Sequence, residues 1–524
     1  MARNLRYLFP VLVNSFLFIT IQSHDNTSAL TACLHSSGIK NFSVSSTLAY
    51  SHLLNFSIRN LRFALAGVPK PIALILPSSV DDLRNSVLCL RAASLAIRVR
   101  SGGHSYEGLS YTADHGVPFA IVDLMNLNGV QVDPGSPFAW AESGASLGEI
   151  YSAVAASNRT LAFPAGSCPT VGSGGHIAGG GFGLLSRKYG VAADNVVNAI
   201  LVDSAGRVLN RDSMGEDVFW AIRGGGGGSW GVVYSWQLRL VPVPERVTVC
   251  TPTRSGSTRS VAELVHRWQY VAPNLPEEFY LSVSIAGSGD GNVSASFTGF
   301  FLASRKAAVS SLSRRFPELA LAESGCHEVS WIESVVQFAG LDSVSELTSH
   351  ESSSPEFFKA KSDYVRTPID MAGMITTLDY LSRKQEAYII LDPYGGAMER
   401  VKSHQIPFPH RAGNLYGIQY MVSWTVEEDR AREKHVTWLR EFYEYMSRHV
   451  SKNPRAAYVN YLDLDLGKVE WGRGGDGPTG AVSKARVYGE RYFLGNYERL
   501  VKAKTIIDME NVFNNPQSIP PLNG

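Results

Sequence analysis

The sequence predicts an α+β protein, from the order of its apolar runs and from a change in their pattern after Pro244. Between Pro69 and Pro244, short apolar runs alternate with helix signals, which is typical of an α+β or α/β domain. After Pro244, the apolar segments favour a mainly antiparallel sheet with helices on one face. With 524 residues, 44% of them hydrophobic, the chain can bury more than one core.

The first region begins with a strand and a helix that runs to about Ser94. The N-cap signals of this helix are Ser78 and Ser79, with Asp81 and Asp82 three residues on. Ser146 with Glu149 makes a capping box for the next helix, Glu149–Ser157. Apolar runs bounded by turn residues supply the strands. The predicted strands are Pro71–Pro77, Ala96–Arg100, Phe119–Leu124, Phe138–Glu142, Asn198–Asp203 and Val232–Leu240.

The second region opens with a predicted helix, Val261–Val271, and ends with a long amphipathic helix, Glu427–Val450. Between them lie predicted strands at Phe279–Ile285, Ser294–Phe301, Tyr388–Leu391 and Leu415–Trp424. The tail from about Val459 to Gly524 is too short and irregular for a core of its own, so we expect it to pack on an earlier domain.

The N-terminus has the pattern of a secretory signal peptide over residues 1–23, with basic Arg3 and Arg6 before the mostly apolar Tyr7–Ile21. An ordinary core segment is the alternative. No other stretch approaches the ~18 apolar residues that span a bilayer, so we expect no membrane anchor. Glycosylation sequons, which agree with secretion, stand at Asn26, Asn41, Asn55, Asn158 and Asn292.

The net charge of +1 provides no basic field for nucleic acid, so we expect no nucleic-acid partner. Five cysteines are too few for a disulfide scaffold in a chain of this length, and an odd number cannot all pair within it. The sequence has no zinc-like cysteine pair and no H-E-x-x-H, so no metal site is predicted.

Glycine is concentrated in two tracts, Gly166–Gly190 and Gly224–Gly228. Such density lets the backbone approach a large anionic ligand, whose pyrophosphate the N–H groups can surround. Tight turns are the alternative, above all for Gly224–Gly228. A G-x-G-x-x-G pattern begins at Gly226, but it follows a helix-like segment and leads into a strand, the reverse of a Rossmann motif.

A further cluster, RVRSGGHSYEGLSY, occupies Arg98–Tyr111 and places His104 on a tight loop directly after a predicted strand. Loops at strand ends are where α/β structures bind ligands. A surface or turn histidine is the alternative for His104 on its own.

RSGGHSYEG together with GSCPTVGSGGHIAGGGFG resembles the plant berberine bridge enzyme-like family of FAD-linked oxidases, in the vanillyl-alcohol oxidase superfamily. The resemblance extends over nearly the whole chain after the signal peptide. Leu462, where sugar- and monolignol-oxidising members carry arginine, is similar to the alkaloid-related branch. Further matching blocks are Gly190–Leu209, Gly215–Val233, Tyr458–Gly467 and Asn496–Leu522.

The resemblance implies a two-part FAD-binding domain of the vanillyl-alcohol oxidase (PCMH) type and an α/β substrate domain with a large antiparallel sheet. The expected units are a signal peptide at 1–23, an N-terminal segment at 24–68, the FAD-binding domain at 69–245, the substrate domain at 246–457, and a segment completing the FAD domain at 458–524.

The resemblance also implies bicovalent FAD, with His104 bonded to the flavin 8α-methyl and Cys168 to C6. Cys33 and Cys89 match the family's disulfide. Cys250 and Cys326 then remain, either as a second pair or as two buried thiols. The odd cysteine would be the flavin ligand.

Other residues are expected around the cofactor. The loop Ser101–Ser105 and the later glycines would surround the pyrophosphate with N–H groups, and Val171, at a position that gates oxygen in the family, favours reaction with O2. The expected cofactor contacts besides His104 and Cys168 are Ser101, Gly102, Gly103, Ser105, Val171, Gly174, Gly175, Asn195 and Asn460.

For catalysis, Tyr461 matches the base of several relatives, although a tyrosine of pKa ~10 needs a cation or a hydrogen bond to act as one. Phe182 stands where monolignol-oxidising members have a supporting tyrosine. Gln419 stands where the enzyme that gives the family its name has a glutamate, so it should hydrogen-bond. Tyr106 is expected at the flavin edge. The alternative for each tyrosine is a core aromatic ring whose hydroxyl is hydrogen-bonded. Asp392 is another acid close to this region, and the sequence assigns no role to it.

The implied function is that of a monomeric oxidase in the secretory pathway, delivered to the cell exterior, the wall or the vacuole. It would take hydride from a specialised metabolite, an alkaloid or a phenolic, to FAD and pass the electrons to O2, giving H2O2. One alternative is a carbohydrate oxidase acting at the anomeric carbon. Another is an FAD-dependent cyclase whose reaction has no net redox change.

Overall fold

The computed structural model describes residues 26–350, 355–471 and 478–522. The predicted signal peptide, 1–23, lies outside the described residues. The fold is a mixed α+β fold in which two smaller sheets precede a large antiparallel one.

The first sheet has four strands in the order Phe42–Val44, Ala73–Ile75, Phe119–Asp123, Ala96–Arg100. The last three run parallel and the first is antiparallel to its neighbour. Phe119–Asp123 is buried along its whole length, as expected of a central parallel strand covered on both faces. The strand Ala96–Arg100 delivers the chain to the loop that carries His104.

The second sheet is antiparallel and has five strands in the order Val130–Val132, Phe138–Glu142, Val232–Arg239, Val196–Val202, Val208–Leu209. A short pair, Leu161–Ala162 with Val241–Pro242, lies beside it. The helix Glu216–Ile222 precedes the glycines Gly224–Gly228 and the strand Val232–Arg239 follows them. That order confirms that the G-x-G-x-x-G pattern here is not a Rossmann motif.

The third sheet has eight antiparallel strands. Seven follow one path and the eighth, Thr253–Ser257, pairs with Asn292–Phe301. The path runs Cys326–Val329, Val247–Cys250, Asn292–Phe301, Phe279–Gly287, Ala387–Pro393, Tyr416–Trp424, Phe357–Val365.

Helices cover these sheets, and side-chain caps begin several of them. Ser79 accepts from the Asp82 N–H, and Ser146 with Glu149 forms the predicted capping box. The long amphipathic helix begins at Arg432 rather than Glu427, because Glu427–Ala431 forms a 3₁₀ turn. The helices are 26–36, Tyr50–Phe56, Val80–Ala92, Leu147–Ser157, Ser173–Ala178, Ser186–Tyr189, Arg211–Met214, Glu216–Ile222, Thr258–Val271, Arg305–Arg315, Trp331–Ala339, Met371–Ser382, Ala397–Arg400, Arg432–Met446, Pro478–Phe493 and Tyr497–Ile507.

The C-terminal helix Tyr497–Ile507 packs on the helix Glu216–Ile222, and its apolar residues join the core of the second sheet. Lys504 is fully buried there and donates to the carbonyls of Ser229 and Phe513 and to Asp508. A buried ammonium with three acceptors fixes the end of the chain against the glycine tract at Gly224–Gly228.

Two disulfides account for four of the five cysteines, all five of which lie in the described part of the chain. Cys33–Cys89 joins the helices 26–36 and Val80–Ala92, which confirms the predicted pair. Cys250–Cys326 links the edge strand Cys326–Val329 to its neighbour Val247–Cys250, at two positions directly opposite each other. Cys168 remains a free, exposed thiol. Among the helices of the described ranges, none is long and apolar enough to cross a membrane.

Candidate cofactor and active site

A cavity of about 390 Å³ lies where three glycine-rich loops meet the C-terminal segment. The loops come from distant parts of the chain: the His104 loop follows Ala96–Arg100, the Cys168 loop follows Leu161–Ala162, and Gly225–Gly231 precedes Val232–Arg239. The residues that line the cavity include Ser101–Tyr106, Cys168, Val171, Gly172, Gly174–His176, Gly225–Gly231, Val459–Leu462, Asn514, Asn515 and Gln517.

Most of the predicted site residues lie on this lining. They are Ser101, Gly102, Gly103, His104, Ser105, Tyr106, Cys168, Val171, Gly174, Gly175, Asn460 and Tyr461. Gln419 is one contact away, since its Nε2 donates to the Tyr106 hydroxyl over 2.6 Å.

The structure does not bring Asn195 to the cavity lining. Its amide donates to the carbonyls of Tyr189 and Val191, 2.9 and 3.2 Å away, and so closes the turn before the strand Val196–Val202. The side chain therefore stabilises its own loop, and the contact of Asn195 with the cofactor stays a prediction.

The loop that carries His104 is held from two sides. A Cβ on Gly103 would lie 1.7 Å from the Ser57 carbonyl oxygen, and one on Gly102 would lie 2.3 Å from the Gly172 nitrogen. Gly103 also has φ +70°, a value that favours glycine. Close backbone approach therefore requires these two glycines and brings the His104 and Cys168 loops together.

His104 and Cys168 both contact Thr170. The His104 Nε2 lies 3.0 Å from Thr170 Oγ1, and the Cys168 Sγ lies 3.6 Å from the same oxygen. Burial, with a contribution from the Arg59 charge, lowers the pKa of His104 to about 3. The imidazole is therefore neutral at physiological pH and keeps a nitrogen lone pair for bonding.

The space around two glycines of the lining shows whether the cavity fits a large cofactor. Cβ atoms built on Gly175 and Gly227 would meet nothing closer than 3.7 Å, and neither residue has the positive φ that demands glycine. No protein contact explains glycine at these two positions, whereas a ligand lying against the bare backbone does. The residues fit FAD, whose pyrophosphate and ring system need such close approach.

Several lining residues are not among the individual cofactor contacts that the sequence predicts. Gly225–Gly228 and His176 lie in the two glycine tracts, so their composition could have found them. The Gly166 N–H donates to the His176 Nε2 over 3.0 Å, so the ring proton is on Nδ1. Asn514 and Gln517 belong to the C-terminal segment, where no glycine-rich composition marks them as cofactor contacts.

Two stacked tyrosine rings form one side of the site. Tyr106 and Tyr461 line the cavity, with ring centroids 5.5 Å apart, whereas Phe182, which stacks on Tyr394 at 5.3 Å, is not part of the lining. Burial raises the pKa of Tyr461 well above its ordinary value, and the neighbouring Tyr106 and Asp392 raise it further. The Tyr461 hydroxyl therefore stays protonated at neutral pH.

Asp392 lies on the large sheet, on the strand paired with the one that carries Gln419. It is half-buried, and its Oδ1 accepts a hydrogen bond from the Tyr280 hydroxyl. Burial raises its pKa to about 6 although that hydrogen bond opposes the rise. In the described part of the chain, no lysine, arginine or histidine forms an ion pair with this carboxylate, and no cluster of acidic, His or Cys side chains could hold a metal.

A buried ion-pair network lies behind the two tyrosines. Lys359 Nζ donates to Glu107, the neighbour of Tyr106, and to Asp463 Oδ1 at 2.7 Å. Lys361 Nζ donates to Asp463 Oδ2 at 2.6 Å and contacts Asp465 at 2.8 Å. The network joins the His104 loop, the large sheet and the Tyr461 segment, so it fixes the relative positions of Tyr106 and Tyr461.

The glycine-rich loops around the cavity, together with His104 and Cys168, define an FAD-dependent oxidoreductase. Residues 71–211 match the family model described as an FAD binding domain. Residues 457–520 match a second model, berberine and berberine like. The chain belongs to the berberine bridge enzyme-like family of FAD oxidases.

Relatives agree over almost the full length. Berberine bridge enzyme-like D-2 of Nicotiana tabacum is 49% identical over 99% of this chain and 96% of its own. Reticuline oxidase of Papaver somniferum is 48% identical over 95% and 93% of the two chains. The solved structure of berberine bridge enzyme from Eschscholzia californica is 46% identical, with a TM-score of 0.92 over 94% of this chain and 99% of that one.

Proposed function

We propose that this chain is a secreted plant oxidase that takes hydride from a basic-nitrogen metabolite of the alkaloid class to bicovalently bound FAD and reoxidises with O2. The bound FAD would accept the hydride and pass its electrons to O2 as H2O2. The FAD domain in this proposal is made of 69–245 and 458–524, and the substrate domain of 246–457. The protein's own residues attach the cofactor, orient the substrate and manage its proton.

Attachment would use His104 and Cys168, which face one cavity from two loops and share Thr170 as a neighbour. A neutral imidazole is the form that can bond to carbon, and the lowered pKa of His104 provides it. Two bonds would hold the ring system rigidly and leave no free thiol among the five cysteines.

The observation that carries the substrate class is the Asp392 carboxylate. It is half-buried, hydrogen-bonded to Tyr280, without an ion-pair partner in the described part of the chain, and close enough to the Tyr461 hydroxyl to raise its pKa. A protonated amine would satisfy this charge, and the surrounding tyrosine rings would favour a cation as well. A neutral sugar would leave the carboxylate uncompensated.

Asp392 would also take the amine proton. Hydride can leave a carbon next to nitrogen only when the nitrogen lone pair is free to stabilise the developing cation, so the ammonium must lose its proton first. A carboxyl group with a pKa of about 6 is ionised at neutral pH and can accept it. Gln419, which has no acid–base function, would hold Tyr106 in place.

Tyr461 would act on a substrate hydroxyl where the substrate has one. Because its pKa is raised, Tyr461 would form the phenolate only if another group took its proton. Asp392 is the carboxylate whose charge raises the pKa of Tyr461. In the absence of such a hydroxyl, Tyr461 and Tyr106 would form a flat wall for an aromatic substrate.

Val171 lines the cavity and would leave space for O2 beside the flavin. Delivery through the secretory pathway is supported by the two disulfides, which form in oxidising compartments. The predicted glycosylation sites Asn41, Asn55, Asn158 and Asn292 are exposed and Asn26 is half-exposed, so glycans can be accommodated there.

The test is anaerobic bleaching of the purified yellow protein with three panels: aromatic tertiary amines, phenolics and oligosaccharides. We expect an aromatic amine to bleach the flavin and air to restore the colour with formation of H2O2. Asp392→Asn should weaken bleaching by amines, and Asp290→Asn, at an exposed turn of the same sheet, should not. Bleaching by oligosaccharides alone would make the protein a carbohydrate oxidase, and product without bleaching would make it a cyclase.

A further inference from the structure

Thr170 occupies a position between the two side chains that would bond to the flavin. Its hydroxyl oxygen is 3.0 Å from His104 Nε2 and 3.6 Å from Cys168 Sγ, and the residue is 2% exposed. A threonine hydroxyl has one proton to donate and lone pairs to accept with. It can therefore serve both neighbours at once, by accepting from one and donating to the other.

Each of these two hydrogen bonds can run in either direction, and one arrangement serves both attachments. The His104 imidazole is neutral and carries one ring proton. If that proton is on Nε2, it is donated to Thr170, whose own proton can then be donated to the sulfur. This arrangement leaves the lone pair on Nδ1 and gives the sulfur a hydrogen bond that stabilises its thiolate, which is the nucleophilic form.

We propose that Thr170 is a positioning residue that sets the His104 tautomer and supports the Cys168 thiolate, so that one hydroxyl prepares both flavin attachments. The inference rests on the proposed bicovalent attachment and adds the residue that couples its two halves. Arg59 would assist: burial lowers its pKa, a negative charge on Cys168 opposes that, and the guanidinium would therefore attract a thiolate at Cys168.

Each attachment is an oxidation and balances with O2. At His104, a C–H bond of the 8α-methyl breaks and a bond from Nδ1 to that carbon forms. At Cys168, the C6–H bond breaks and the S–C6 bond forms. In both cases the electron pair reduces the ring and passes to O2, and the two hydrogens leave as H2O2, one from carbon and one from the imidazole or thiol. The oxidase activity of the proposed function supplies the oxidant.

The experiment compares the wild type with Thr170→Val, Thr170→Ser and a matched control, Thr248→Val. Thr248 is equally buried, and its hydroxyl donates to the Ala303 carbonyl in the large sheet, far along the chain from the tethers. Purified proteins are denatured in acid, and intact-mass and peptide analysis measure the fraction of chains with flavin on His104, on Cys168 and on both. Thermal unfolding reports the structural cost of each substitution.

We expect Thr170→Val to slow the appearance of doubly attached flavin by about tenfold, equivalent to about 1.4 kcal/mol, the size of one hydrogen bond. Thr170→Ser, which retains the hydroxyl, should restore it, and Thr248→Val should lose stability without losing attachment. Attachment at wild-type rate in Thr170→Val would overturn the inference while leaving the proposed function intact. A Ser variant as slow as Val would also overturn it, because the methyl group would then be the active feature. Wild-type protein that releases its flavin in acid would instead refute bicovalent attachment itself.

Discussion

Lys359 is the residue whose removal should cost the most stability near the site. Its ammonium is 2% exposed and lies between Glu107, 4% exposed, and Asp463, 2% exposed. At 2.7 Å the attraction to Asp463 alone is about 6 kcal/mol with an effective dielectric constant of 20. Lys359→Met removes this attraction together with the cost of burying the ammonium. Asp463 then keeps Lys361 at 2.6 Å and Glu107 keeps only Arg62 at 3.8 Å, so the buried carboxylates lack one cation and the net loss is about 3–5 kcal/mol.

The assay is the free energy of unfolding from urea titration followed by tryptophan fluorescence. Lys188→Met is the control, since Lys188 contacts Glu278 at 3.0 Å with both groups partly exposed and should cost less than about 1 kcal/mol. A loss from Lys359→Met no larger than that of the control would refute the reasoning that the network is a buried, stabilising feature.

The pH dependence of the Lys359→Met effect gives a second check. Burial alone would lower the pKa of Lys359, but Glu107, Asp463 and Asp465 outweigh it and raise the pKa. The lysine's contribution is therefore fully present below pH ~10 and disappears only above it.

Three further predictions concern the cofactor and the chemistry. Gly227→Ala should leave the fold intact but lower the fraction of chains holding acid-stable flavin. The decrease should be roughly tenfold, because a methyl group in the space of the ligand costs about 1–3 kcal/mol. Gly67→Ala, at an exposed site, should leave the flavin content unchanged. The rate of anaerobic flavin reduction by an amine should rise with pH through about 6 as Asp392 ionises, and in Asp392→Asn this rise should vanish; an unchanged profile would exclude Asp392 as the proton acceptor. Val171→Leu should slow reoxidation by O2 several-fold, measured by stopped-flow absorbance, and an unchanged rate would contradict the role given to Val171.

Local signals predicted the elements that bear the site. The strand Ala96–Arg100 and the strand Phe138–Glu142 have the predicted bounds, and the Ser146–Glu149 capping box is present. Such features depend on side chains a few residues apart, so the sequence alone contains their physical cause. Asn195 shows the complementary limit, because nothing local indicates whether an amide faces a ligand or closes its own turn.

The amino-acid sequence by itself determined the two glycine tracts, the His104 and Cys168 motifs and the odd cysteine count, because each is a matter of residue type and spacing. Only the tertiary structure decided that Cys250 pairs with Cys326, that Gly225–Gly228 lines the cavity, and that Asp392 is a half-buried carboxylate hydrogen-bonded to Tyr280. Those facts depend on which distant segments meet. Their energies come from burial and from contacts across the chain, which no local pattern records.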